Sequence, residues 1–142
     1  MENNGKPVLG VTLYSFTNEW LQRKYDLDSL VAKVAELKLG PAVEVVGFQS
    51  IRSFPDVSPE YVRYFRDLFE KYALVPSCLG ANLDVGIRKD RLMTPDETQQ
   101  YITRQIFTAQ KLGFPVVRIQ AFAKPDVLDR IIPVAEKAGV HV

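Results

Sequence analysis

The 142 residues carry 46% hydrophobic and 25% charged side chains, enough apolar material for one ordinary core and too short a chain for two. Eighteen basic against seventeen acidic side chains leave a net charge of +1, which supplies no field to gather a nucleic acid or an anionic membrane. Cys78 is the single cysteine, so an intrachain disulfide and a thiolate metal cluster are excluded, and its expected role is that of a small buried hydrophobe.

The start, Met1-Glu2-Asn3-Asn4-Gly5-Lys6-Pro7, is polar, and no apolar run approaches the roughly 20 residues that a bilayer demands, so a cytoplasmic protein is expected. Residues 8–16 are β-branched and short, bounded by Pro7 and by Thr17-Asn18-Glu19, and predict a first strand. Asp26 is placed to cap a helix over 27–39, with Leu27, Leu30, Val31, Val34 and Leu37 at helical spacing. Residues 42–46 follow as the second strand. Ser58-Pro59 pairs an N-cap with proline at the first helical position, where its missing N–H costs nothing. Val62, Phe65, Phe69 and Tyr72 line that second helix, and 75–79 form the third strand. Thr94-Pro95-Asp96-Glu97 reads as a capping box opening a helix through Ile102, Ile106, Ala109 and Leu112. Residues 116–121 are the fourth strand, and Pro125 opens a last helix in which Pro133 is expected to make a kink.

Three phrases share one form: Lys38-Leu39-Gly40, Lys111-Leu112-Gly113 and Lys137-Ala138-Gly139 each end a helix and run into β-branched residues. Glycine there is expected as a left-handed C-cap, a conformation it adopts without a Cβ clash. The third phrase leads into Val140-His141-Val142, the start of a fifth strand. Strictly alternating β and α elements specify a parallel sheet with right-handed crossovers. An open doubly wound sheet and a (β/α)8 barrel both fit. The stretch Tyr14 to Trp20 lacks a glycine-rich phosphate loop, which favours the barrel, and four units in 142 residues match its usual length of about 250 residues. The expectation is a single domain over 1–142, the N-terminal half of such a barrel: four βα units plus the start of strand five.

In a barrel, strand residues alternate between the interior and the helix side. Val43, Val45, Val117 and Ile119 suit the helices, which sends Glu44, Arg118 and Gln120 inward, with Thr12 and Tyr14 beside Gly10. A carboxylate and a guanidinium on one interior are expected to pair, making Glu44 and Arg118 the candidate pair. Two readings stand: a polar wall for a hydroxylated substrate, with Glu44 accepting and Arg118 or Gln120 donating, or a structural ion pair. Phe16, Trp20 and Phe48 in the first two βα loops offer faces for a sugar ring, or simply pack on neighbouring loops. His141 is the sole histidine, so no histidine-based triad or metal site can be assembled here.

The order Val8-Leu9-Gly10-Val11-Thr12-Leu13-Tyr14-Ser15-Phe16, then Val43-Glu44-Val45-Val46-Gly47-Phe48, then Lys111-Leu112-Gly113 running into Val116-Val117-Arg118-Ile119, resembles the sugar phosphate isomerase/epimerase family with the xylose isomerase-like TIM barrel. Leu13 to Trp20 and Gly47-Phe48-Gln49-Ser50-Ile51-Arg52 are similar to one branch, the C-glycoside deglycosidase large subunit. The resemblance implies a divalent metal, manganese or magnesium, held by Glu, Asp, His and Glu at the ends of strand five and later strands, so no ligand falls within these residues. It carries over Glu44 as the glutamate of the strand-two Val-Glu motif, with the ends of strands one and four as substrate walls. The implied reaction is proton abstraction beside a sugar carbonyl. In the deglycosidase branch it is elimination of an aromatic carbon leaving group from an oxidised sugar, with a smaller partner subunit. A half-barrel that pairs with a second copy through its sheet edges, and a barrel relative that only binds sugar, are the remaining alternatives.

Overall fold

The computed structural model describes residues 7–83, 87–119 and 124–142. Strand β1 (Gly10–Thr12) is followed by a 3-10 turn (Leu13–Phe16) and a short helix α1 (Thr17–Leu21). Then come α2 (Leu27–Glu36), β2 (Ala42–Val46), a single-turn α3 (Gly47–Ser50), α4 (Pro59–Lys71), β3 (Val75–Ala81), α5 (Pro95–Leu112), β4 (Val117–Ile119) and α6 (Pro125–Ala138).

The four strands form one parallel sheet in the order β1-β2-β3-β4. A doubly wound sheet reverses its strand order at a switch point and thereby puts helices on both faces. Here the order never reverses, so right-handed crossovers place the long helices on one face, as in the wall of a barrel. Val116 forms a parallel bridge with His141. The Val117 N–H donates to the His141 carbonyl at 2.8 Å and the His141 N–H to the Pro115 carbonyl at 2.9 Å, so the fifth strand begins in place beside β4.

The caps are where the sequence puts them. Asp26 accepts from the Ser29 N–H at 2.9 Å, and Ser29 answers to the Asp26 backbone. Ser58 caps α4, and Thr94 with Glu97 caps α5 reciprocally. Gly113 and Gly139 close α5 and α6 in the left-handed region, at φ 87° and 68°. Gly40 departs from the pattern. Helix α2 stops at Glu36 and Lys38 takes the left-handed conformation, at φ 56°. Gly40 is instead needed for space, because a Cβ there would collide with the end of the Leu74 side chain.

The first strand is shorter than expected. Thr12 Oγ1 accepts from the Tyr14 N–H at 3.3 Å, and Thr17 Oγ1 donates to the Tyr14 carbonyl at 2.6 Å, so hydroxyls turn the backbone out of the ladder. Strand β3 runs two residues further than expected, to Ala81. The fourth strand runs over Val117–Ile119, Val116 makes only the bridge to His141, and residues 120–121 of that expectation lie outside the described residues. Helix α6 continues through Pro133, which is exposed to solvent.

The core lies between the sheet and the helices: Leu30, Val31 and Val34 of α2, Val43 and Val45 of β2, Phe65 of α4, Leu79 of β3, Ile102 and Ile106 of α5, and Ile131 of α6. Gln105 is fully buried, and its amide both donates to the Asn82 carbonyl at 2.7 Å and accepts from the Asn82 N–H at 2.9 Å. That pair of bonds ties α5 to the segment leaving β3 without an orphaned polar group.

Glu97 does more than cap. It accepts from the Thr94 N–H at 2.8 Å, from Arg91 at 2.7 and 2.9 Å, and from Arg88 at 2.9 Å. The Arg91 guanidinium first, and the Thr94 amide second, hold its carboxyl well below the usual carboxylate range. A depressed folded-state pKa stabilises above the unfolded value, about 4.3, and that contribution is lost as pH falls toward the folded pKa. Acid titrations of Glu97→Gln and the parent, followed by circular dichroism, should therefore show the parent more stable above about pH 4 and the two curves converging below it.

Candidate functional site

The sheet face opposite the helices carries the polar residues. Val43 and Val45 are fully buried beneath the helices, while Glu44 between them points to the other side. In register, Glu44 lies beside Thr12 on one flank and Cys78 on the other, and Arg118 lies beside Gly80. The Arg118 Nε donates to Glu44 Oε1 at 2.6 Å, so the expected ion pair is present.

The pair joins β2 to β4 across the intervening strand β3, a reach made possible by Gly80. A Cβ at that position would lie 3.3 Å from Arg118 Nη2 and 3.5 Å from Glu44 Oε1, in the path of the bridge. Sequence reasoning passed over Gly80, although a glycine inside a strand does signal a close approach of other groups. The Arg118 side chain is 50% exposed and that of Glu44 20%, so the pair sits on an accessible surface of this chain. Among the described residues the bond uses only Nε of Arg118 and Oε1 of Glu44, leaving the terminal amino groups and the second carboxylate oxygen as further donors and acceptor. Cys78 is half-buried beside them, not fully buried as expected, and burial followed by the Glu44 charge pushes its thiol pKa up. It is therefore a poor nucleophile.

The four loop aromatics separate into two kinds. Tyr14, on the 3-10 turn, is 58% exposed, and Phe48, on α3, is 52% exposed, so both faces are available to a ligand. Phe16 and Trp20 are partly buried and pack against the hydrophobic core, which makes them structural members of the first βα loop. The two loops are tied by Thr17 Oγ1 and the Gln49 amide, 3.3 Å apart at Nε2. Gln120 lies outside the described residues.

Among the described residues no three His, Cys, Asp or Glu side chains converge so as to hold a metal ion. The described residues thus do not build a metal site of their own. Among the described residues, no helix is long and apolar enough to cross a membrane.

No protein-family model matches the chain. It is 48% identical over 141 residues to the C-glycoside deglycosidase alpha subunit of Arthrobacter globiformis, an alignment covering 99% of this chain and 38% of that protein. It is 45% identical over 131 residues to the 3'-dehydrocarminate deglycosidase alpha subunit of a Microbacterium species, covering 92% of this chain and 38% of that one. The chain thus spans less than two fifths of the length of the curated relatives it matches. In fold it superposes on a sugar phosphate isomerase/epimerase from Parabacteroides distasonis with a TM-score of 0.64 at 12% identity, over 99% of this chain and 52% of that one. A xylose isomerase domain protein from Planctomyces limnophilus superposes with a TM-score of 0.53 at 15% identity, over 75% and 44% of the two chains. The chain is therefore an α/β half-barrel of the xylose isomerase-like kind, similar along nearly its whole length to part of the C-glycoside deglycosidase alpha subunits.

Proposed function

We propose that the chain supplies the first four βα units of a C-glycoside deglycosidase alpha subunit, and that its open sheet face is the wall against which an oxidised C-glycoside is held. The reading is supported chiefly by the near-continuous similarity to deglycosidase alpha subunits, at 48% identity over 141 residues. The name of the Microbacterium relative specifies a 3'-dehydro sugar, which motivates an oxidised ring as the substrate class. An oxidised ring has an acidic C–H beside its carbonyl. Loss of that proton lets the bond to the aromatic carbon break, and the leaving carbon then takes up a proton.

In this reading Glu44 accepts hydrogen bonds from ring hydroxyls with its free oxygen, while Arg118 donates to the carbonyl oxygen, where negative charge grows as the proton leaves. Their mutual bond fixes both before substrate arrives, so orientation is settled in advance. Tyr14 and Phe48 offer faces to the sugar or the aromatic aglycone. The divalent ion of the resemblance is assigned to residues outside these 142, and a smaller beta-type subunit is the expected partner. Isomerase or epimerase activity is the weaker reading, because that likeness is one of fold at 12% identity.

The test is an assay of the protein with its partner subunit on a 3-oxo C-glucoside, its unoxidised parent and a hexose phosphate, followed by chromatography. Aglycone release from the 3-oxo compound alone is expected. Interconversion of the hexose phosphate without aglycone release would replace this reading with the isomerase one.

A further inference from the structure

On the outer rim, between α1, the segment after α3 and the first turns of α2 and α4, the chain encloses a half-open cavity of about 760 Å³. It shares no residue with the proposed substrate wall of Glu44, Arg118, Tyr14 and Phe48. Ser50 lines it, is only 5% exposed, and its Oγ has no hydrogen-bond partner among the described residues. A buried hydroxyl left unpaired loses its hydration without a replacement bond, so it marks a place where a ligand group can be satisfied.

The remaining lining sets the ligand's chemistry. Trp20, Tyr61 and Tyr64 present aromatic rings, the two tyrosines with centroids 5.4 Å apart. Of the four carboxylates, Asp56 is matched by Arg104, and Glu60 lies 3.6 Å from Arg63. Among the described residues Asp26 and Asp28 have no ion-pair partner: Asp26 accepts from the Ser29 hydroxyl and backbone amide and Asp28 from the Tyr64 hydroxyl, which leave their charges in place. Among the described residues, Arg52 is the one cation in the lining. Two helix N-termini point here and by themselves would favour an anion. Acidic side chains in both first turns, Asp28 and Glu60, oppose that preference. Carboxylates with aromatic faces and a free hydroxyl acceptor fit an ammonium group, which gains from ring quadrupoles and donates hydrogen bonds.

We propose that this cavity is a binding site for a primary alkylammonium compound, separate from the sugar wall, with Asp28 as counter-ion, Ser50 Oγ as hydrogen-bond acceptor and the Tyr61–Tyr64 pair as the aromatic side. The chain has a single tryptophan, Trp20, and it lines the cavity, so its emission reports occupancy directly. Trp20 fluorescence is titrated with butane-1,4-diamine against sodium chloride at matched ionic strength, glucose and inorganic phosphate. A saturable change with the diamine alone is expected, weakened several-fold in Ser50→Ala and roughly tenfold in Asp28→Asn, the size of one charge-assisted contact. Circular dichroism and the variant Glu136→Gln, at an exposed position of α6 outside the cavity, guard against a folding defect in Asp28→Asn. A response shared with salt, saturation by glucose or phosphate in its place, or diamine affinity unchanged in folded Ser50→Ala overturns the proposal. Because the readout involves no turnover, it stands or falls independently of the deglycosidase reading.

Discussion

Glu44→Gln is expected to leave the protein folded and to lower kcat/KM on a 3-oxo C-glucoside by roughly a hundredfold, within the cost of removing one partner of a hydrogen-bonded charge pair at a binding site. The expectation of intact folding follows from exposure: half of the Arg118 side chain faces solvent, so the guanidinium left behind can be hydrated. Gly80→Val should act in the same direction without touching either charge, because its side chain would stand between Arg118 Nη2 and Glu44 Oε1. Steady-state kinetics beside a urea melt decide the matter. A large drop in melting stability for Glu44→Gln would assign the pair a structural role, and unchanged kinetics in a folded variant would remove it from the substrate wall.

Phe65→Ala is expected to cost about 3–5 kcal/mol of folding stability, the range for deleting a large buried aromatic side chain. Phe65 is fully buried and stacks on Phe69 at a centroid distance of 4.5 Å, with the tilted Phe114 ring at 5.6 Å. These rings join α4 to the segment between α5 and β4, so the cavity left behind lies between elements far apart in the chain and cannot easily collapse. Urea denaturation should show a lower midpoint at an unchanged slope. A loss below about 1 kcal/mol would mean that the neighbouring rings fill the space.

Much of the architecture was legible because its causes are local. Asp26, Ser58 and Thr94 sit at helix starts for reasons contained in three or four residues: a side-chain oxygen within reach of an orphaned amide. Gly113 and Gly139 stop their helices for an equally local reason, a backbone conformation that a Cβ opposes. Alternation along a strand then carried one step further, from Val43 and Val45 buried on the helix side to Glu44 on the opposite face. The similarity in sequence to deglycosidase alpha subunits adds a likeness that composition and periodicity do not reach.

What resisted reading depended on contacts distant in sequence. Gly40 looks like Gly113, yet it makes room for Leu74, and only the packed sheet brings that side chain near. The first strand ends early because Thr12 and Thr17 can bond to the Tyr14 backbone, a competition between side chain and ladder that β-propensity does not weigh. Phe16 and Trp20 resemble Tyr14 and Phe48 as loop aromatics, and their burial against the core was decided by how the loop folds back. The sequence by itself determined the elements, their caps and the polarity of each sheet face, since these follow from neighbours along the chain. The tertiary structure alone decided between the two sheet architectures left open, carried the expected Glu44–Arg118 pair over Gly80 and formed the cavity around Ser50, because each needs residues tens of positions apart to meet in space.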